Sequence, residues 1–192
     1  MTPKVFQIGL NKTATRSIFL LFKRSGYKSV HWSKGLLAED IAAKSNTGEV
    51  PLTDWNDTVL FTDIESVHTT AEPIEGYKYF EFLDQMYPDA KFILNTRDVN
   101  SWLRSRMLHR EGKYFRYFVH HFGTSDPIEI MQRWKASWQD HHDAVRDYFA
   151  DKPGKLLEFE IGMDDGEKLR DFFAPKIQLD LSHWRNEKWP RK

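Results

Sequence analysis

The sequence predicts an α/β fold, a single domain in which a parallel β-sheet is flanked by helices. Three observations carry that expectation. Five short strand-like segments recur along the chain, and two of them, 4–10 and 90–98, have the apolar pattern of strands buried on both faces. Segments with helical spacing separate them, as in chains that build parallel sheets. The 192 residues are enough for one well-buried domain and short for two. Residues 1–192 therefore read as one domain, with no internal repeat, low-complexity tract or linker.

In chain order, residues 4–10 are the first strand. Residues 17–23 have helical spacing and close on Ser25-Gly26, with Lys23 and Arg24 in the last turn. Residues 27–32 read as a second strand, 36–44 as a helix and 45–51 as a loop. A third strand, 58–64, ends in acids, and helical spacing over 77–87 stops at Pro88-Asp89. Residues 90–98 are a fourth buried strand, and 99–108 open a helix with Asp98 as its N-cap. A loop at 123–127, a long amphipathic helix at 128–149, a fifth strand at 155–159 and a helix at 166–173 complete the pattern. Ligands of parallel sheets bind beyond the carboxyl ends of the strands. Three polar clusters, 11–17, 62–65 and 95–97, sit at that end.

Lys plus Arg balances Asp plus Glu at 28 each. No global field draws nucleic acid or an acidic membrane, so an anion site must be local. The absence of cysteine excludes a disulfide framework and a thiolate–zinc centre. The histidines and acids show no metal spacing, so no metal is expected. The opening Met-Thr-Pro-Lys has no leader pattern, and no apolar stretch approaches the roughly 18 residues of a membrane span. A soluble, cytoplasmic protein without nucleic-acid or membrane partners is the expectation. Aromatic residues make up 15% of the chain, core volume that also suits flat ligands.

The cluster Asn11-Lys12-Thr13-Ala14-Thr15-Arg16-Ser17 lies between a buried strand and a buried helix. Such a loop turns backbone N–H groups toward the positive end of the helix dipole, which makes a phosphate site. Lys12 adds a mobile charge, and Thr13, Thr15 and Ser17 add hydroxyl donors. The same residues also read as an ordinary helix start, capped by Thr15 or Ser17 with Lys12 solvated. The nucleotide loop G-x-x-x-x-G-K-[ST] is not met: Gly9 is the only glycine nearby, and the lysine precedes the Thr-Ala-Thr turn. Phosphoryl transfer from ATP is set aside on that ground.

The order Lys-Thr-Ala-Thr-Arg-Ser resembles the 5′-phosphosulfate loop of sulfotransferases. FILNTRDVNSWLRSR, residues 92–106, resembles that family's 3′-phosphate segment, with Arg97 at the strand end and Ser105 eight positions later. TDI at 62–64, YPDAKFILNTRD at 87–98, SWLRS at 101–105 and HHDAVRDYFADKPGKLLEF at 141–159 extend the likeness over most of the chain. They are similar to a branch of small bacterial and fungal sulfotransferase-like proteins. The resemblance implies a P-loop-like sulfotransferase fold and transfer of a sulfuryl group from 3′-phosphoadenosine 5′-phosphosulfate (PAPS). The acceptor would be a hydroxyl or amine of a small molecule or glycan, and the product nucleotide PAP. A catalytically inactive, regulatory PAP-binding protein of the same fold is the alternative.

On this resemblance Lys12 serves the bridging oxygen, Thr13, Ala14, Thr15, Arg16 and Ser17 surround the 5′-phosphate, and Arg97 and Ser105 hold the 3′-phosphate. Relatives place a base near the end of a middle strand, where Asp63 and Glu65 stand, with His68 and His31 behind them. Two positions apart, the acids share one side of an extended segment. Glu65 is favoured as base with Asp63 as orienter, against Asp63 as a structural partner of Lys12 or Arg97. Ala14 replaces the family's loop glycine, so a left-handed backbone is not expected there. Ser17 replaces a common adenine-stacking aromatic, leaving the base to a C-terminal tryptophan. Residues 183–188, with Arg185, stand in for a C-terminal phosphate segment. Residues 107–122 are either a lid, with Lys113 and Arg116 meeting an acidic substrate or the nucleotide, or an amphipathic helix with a solvated basic face. His141 and His142 read as helix-packing residues.

Overall fold

In the computed structural model, which describes residues 2–67 and 72–185, five strands pair in parallel. Strands β1 (Val5–Gln7), β2 (Ser29–His31), β3 (Leu60–Thr62), β4 (Lys91–Thr96) and β5 (Leu156–Glu160) lie in the order β2-β3-β1-β4-β5. Side chains alternate across the sheet, and both faces are apolar. Phe6, Phe61, Phe92 and Leu94 join one core cluster, while Val5, Leu60, Ile93 and Phe159 join the other.

The helices among the described residues are α1 (Thr15–Arg24), α2 (Leu36–Thr47), α3 (Phe80–Met86), α4 (Val99–Met107), α5 (Lys113–Phe122), α6 (Pro127–Phe149) and α7 (Gly166–Phe173). α1 and α7 cover one face through Ile18, Leu21, Phe22, Leu169 and Phe173. α4 packs on the other through Trp102 and Leu103. The helices that follow the neighbouring strands β1 and β4 thus leave to opposite faces. That divergence opens a crevice at the carboxyl ends of β1 and β4, the switch point where α/β sheets take ligands.

Several boundaries differ from the sequence reading, each for a local reason. The apolar run outlasts β1. Ile8 still donates to the Ile93 carbonyl at 2.9 Å, but Gly9 N–H turns to the Asn95 side chain at 3.0 Å and the chain leaves the sheet. Helix α1 starts two residues earlier than predicted, at Thr15. Helix α2 runs through residues 45–47, read as loop, and stops at Gly48 in the left-handed conformation. Residues Gly76–Tyr79 form a tighter 3₁₀ turn before α3. Pro127 joins α6 at its first turn, where a missing N–H costs nothing, behind an Asp126 cap on Ile128 N at 2.9 Å. Asp98 caps α4 as expected, accepting from Ser101 N at 2.8 Å. Among the described residues no helix is long and apolar enough to cross a membrane.

Candidate active site

The loop from β1 to α1 is shaped by β4 and α4. Asn95 Oδ1 accepts from Gly9 N, and its Nδ2 donates to the Thr13 carbonyl at 3.0 Å and to Thr13 Oγ1. Trp102 Nε1 donates to the Asn11 carbonyl at 3.0 Å, and Arg97 Nη1 to the Lys12 carbonyl at 3.2 Å. Thr13 Oγ1 closes the turn on the Leu10 carbonyl. Beneath it, His141 Nε2 meets the Ile8 carbonyl at 2.7 Å, and His142 Nε2 meets Thr96 Oγ1 at 3.0 Å. Burial lowers both histidines to about 4, so both are neutral near pH 7. They pack a helix, as expected, and at the strand ends, which was not.

The loop is left-handed at two points, Lys12 (φ 67°) and Ala14 (φ 71°). The expectation that alanine keeps position 14 out of that region is therefore overturned. Asn95, which holds the carbonyl and hydroxyl of neighbouring Thr13, fixes the geometry at a cost of about 1 kcal/mol for the side chain at 14. Ala14 is the N-cap of α1 and brings no side-chain oxygen to it. Thr15 and Ser17 lie inside the first turn, buried, so neither is the capping residue that the ordinary reading required. The helix dipole is left open to an anion.

Two cations meet at this loop. Burial lowers the Lys12 ammonium below its usual pKa; Asp63 opposes the shift and Arg97 adds to it. Neither Lys12 nor Arg97 makes an ion pair among the described residues, and Arg97 Nε is buried without a hydrogen-bond partner there. A dianionic phosphate would relieve the repulsion and satisfy that donor. Lys12 Nζ lies 3.3 Å from His109 Nδ1. Ser105 is half-buried on α4, and among the described residues no hydrogen bond joins it to the loop. Arg16 is exposed, near enough to His31 for its charge to lower the imidazole pKa, behind the larger effects of burial and Asp63.

Asp63 turns left-handed (φ 57°), so the extended path assumed for Thr62–Glu65 is broken between the two acids. Both carboxylates still act on the Lys12 charge, Asp63 more strongly. Glu65 is 6% exposed. Its Oε1 accepts from Asn11 Nδ2 at 2.5 Å and from Tyr114 OH at 3.2 Å. Tyr114 in turn accepts from Arg106, a buried guanidinium enclosed by the rings of Trp102, Tyr114, Phe118 and Trp134. Burial pushes the Glu65 carboxyl up to about 8; Arg106 opposes the rise and Asp63 adds to it. Asp63 is half-buried, its Oδ2 3.6 Å from His31 Nε2. His68 lies outside the described residues.

Sequence reasoning put Asn11 and Asn95 in the polar clusters without a role for either, and missed Trp102, Arg106 and Tyr114. In the 107–122 stretch the amphipathic reading describes α5. Lys113 and Arg116 are exposed on α5 while Tyr114 and Phe118 are buried, the amphipathic pattern. His109, just before α5, reaches Lys12. Near the C-terminus, Trp184 packs edge-on against Phe159 at 5.7 Å, in the core cluster on the α7 side. Exposed Arg185 donates to the Trp184 carbonyl at 2.7 Å, and residues 186–192 lie outside the described residues. Among the described residues no group of three or more histidines and acids could hold a metal ion.

The family model described as a sulfotransferase domain matches residues 4–110, more than half the chain and the part that carries the loop, Asp63, Glu65, Arg97 and Ser105. No curated protein matches the chain.

Proposed function

The chain belongs to the sulfotransferase domain family, and from that footing we propose that it moves a sulfuryl group from PAPS to an acceptor hydroxyl or amine. The observation that supports this most is the pair of unneutralised cations, Lys12 and Arg97, at a loop opening onto the uncapped start of α1. PAPS supplies the sulfuryl group: its bond to the 5′-phosphate oxygen breaks as sulfur bonds the acceptor atom. Backbone N–H groups of residues 13–17 hold the 5′-phosphate, with Thr13, Ala14, Thr15, Arg16 and Ser17 shaping the cradle. Lys12 stabilises the charge left on the departing oxygen. Arg97 and Ser105 take the 3′-phosphate.

For the base, the geometry supports the reverse of the division favoured from sequence. Glu65 is buried, tied to Asn11 and Tyr114, and largely protonated at neutral pH. That suits a positioning residue which holds Asn11, the neighbour of Lys12. Asp63, half-buried beside His31, accepts the acceptor's proton. Asp63→Asn is expected to lower turnover about 10²-fold or more with PAP affinity kept. Glu65→Gln, which keeps the hydrogen-bonding shape, should lose under tenfold. PAP release from PAPS across an acceptor panel measures both, and the opposite ranking returns the base to Glu65.

The reading as a whole is tested by calorimetric titration with PAP, ATP and AMP. PAP should bind at least tenfold more tightly than either, and Arg97→Ala should remove about 1–3 kcal/mol of that preference. Arg97 also holds the Lys12 carbonyl, so adenosine 5′-phosphosulfate should weaken too, by a smaller factor. Preference for ATP, or no PAP binding, rejects the proposed donor. PAP binding without turnover on any acceptor favours the regulatory alternative.

A further inference from the structure

The sulfotransfer reading fixes which side of Lys12 receives the acceptor. Group transfer of this kind runs in line, the acceptor entering opposite the leaving oxygen. The nucleotide's 3′ end is assigned to Arg97, at the end of β4 on one side of β1. The acceptor then lies on the other side, over the ends of β3 and β2.

Backbone strain is concentrated there. Among the described residues the non-glycine positions with positive φ are Lys12, Ala14, Trp32, Ser33, Lys34, Leu52, Asp63, Arg110 and Glu111. All but Leu52 belong to the loops after β1, β2 and β3 or to the turn between α4 and α5. Each is a strained position for a residue with a side chain, and such strain collects where a loop is held for a ligand. The two longest strained runs, from Trp32 and from Arg110, meet face to face: the Arg110 guanidinium sits 5.0 Å from the centre of the Trp32 ring. Each follows a residue already at the site. His31 faces Asp63 at 3.6 Å, and His109 faces Lys12 at 3.3 Å. The Arg110–Trp32 contact therefore joins the loop that follows His31, beside the acid that takes the proton, to the turn that follows His109, beside the lysine that serves the leaving oxygen.

We propose that Arg110, held over Trp32, is a specificity residue that binds an anionic group of the acceptor, a carboxylate, sulfate or phosphate beside the hydroxyl or amine that is sulfated. Arg110 is exposed, and among the described residues no carboxylate lies within ion-pair distance of it. A cation over an aromatic ring is held there by the ring's quadrupole, and a guanidinium keeps five N–H donors in a fork that matches a bidentate acid. An anionic acceptor approaching an anionic donor needs a cation at its far end, and Arg110 supplies one that the nucleotide does not use. A neutral acceptor would have no use for a guanidinium fixed at this cost in backbone strain.

The test uses the full chain saturated with PAP and two matched probe pairs: 4-hydroxyphenylacetate against its amide, and methyl glucuronide against methyl glucoside. In calorimetry the anionic member of at least one pair should bind tenfold or more tightly than its neutral partner. Arg110→Gln should abolish that preference and leave PAP affinity within twofold. Arg110→Lys, which keeps the charge, should retain most of it. Binding of neither anionic probe, a preference that survives Arg110→Gln, or equal loss in the Gln and Lys variants overturns the assignment. Failure of PAP itself to bind is a different result and removes the sulfotransfer reading beneath it.

Discussion

Lys12→Ala is expected to slow PAP release from PAPS by about 10²–10³-fold, the usual loss when one preorganised donor to a developing oxyanion is removed. PAP affinity should fall about tenfold or less. The difference follows from where the charge is. In bound PAP the 5′-phosphate keeps the backbone N–H groups of the loop and the open end of α1. During transfer the bridging oxygen gains charge that it lacks in the bound donor, and only interactions that strengthen at that point speed the reaction.

The loop itself should survive the change. Its shape is set by contacts to main-chain atoms: Arg97 and Trp102 hold the carbonyls of Lys12 and Asn11, and Asn95 holds that of Thr13. Lysine and alanine pay the same left-handed strain at φ 67°, so the variant isolates the ammonium. Single-turnover release of PAP, with water or the first acceptor found, gives the rate, and titration with PAP gives the affinity. Equal losses in the two would mean that Lys12 only binds nucleotide, and the proposed role in transfer would be withdrawn.

What the sequence disclosed and what it hid divide along chain distance. Helix α7 was read with its observed ends because its pattern is local, and the structure adds an Asp165 cap that accepts from Glu167 N at 2.9 Å. The sheet was legible because its central strands, buried on both faces, carry near-continuous apolar residues, as in Phe92-Ile93-Leu94 of β4. The ends of β1 were not, because Ile8 and Leu10 are fully buried under the loop after the strand has stopped, and burial looks the same in sequence whether or not the backbone pairs.

The loop's residue types were visible, its conformation was not. Nothing near Ala14 says that Asn95, 82 positions from Thr13, will hold the loop where alanine turns left-handed. Glu65 and Asp63 misled for a similar reason. Their spacing of two implies one face only if Asp63 is extended, and its φ of 57° cancels the rule. His109 lies 97 positions from Lys12, and Tyr114 lies 49 from Glu65. Such contacts exist only once the sheet has formed, so the roles of His109 and Tyr114 could not be read beforehand, whereas Ser105 on α4 was read through the family resemblance.

Gly9→Ala is expected to destabilise the fold by about 3–5 kcal/mol, near the upper end for one substitution, and to remove PAP binding with it. The cause is steric and fixed by main chain. A Cβ at position 9 would stand 2.0 Å from the Asn95 carbonyl oxygen and 2.4 Å from Asn95 Oδ1, far inside contact distance. The carbonyl cannot swing aside, because Asn95 lies within β4 and pairs with Phe159 of β5. The end of β1 must therefore move away from β4. That breaks the 3.0 Å bond from Gly9 N to Asn95 Oδ1 and disturbs the two that Asn95 gives to Thr13. These buried groups then lose their partners, each at about 1–3 kcal/mol. Urea unfolding and a thermal melt measure the stability: at about 2–4 °C per kcal/mol for a chain of this size, the midpoint should drop by roughly 10 °C. Asn95→Ala offers the complementary test, since it removes the side-chain clamp and leaves β1 in place. It should cost less stability while weakening PAP binding more than tenfold. A Gly9→Ala protein within 1 kcal/mol of the parent and still binding PAP would show that the loop does not lean on β4 as closely as this geometry requires. The cradle assigned to the 5′-phosphate would then lose its rigid support.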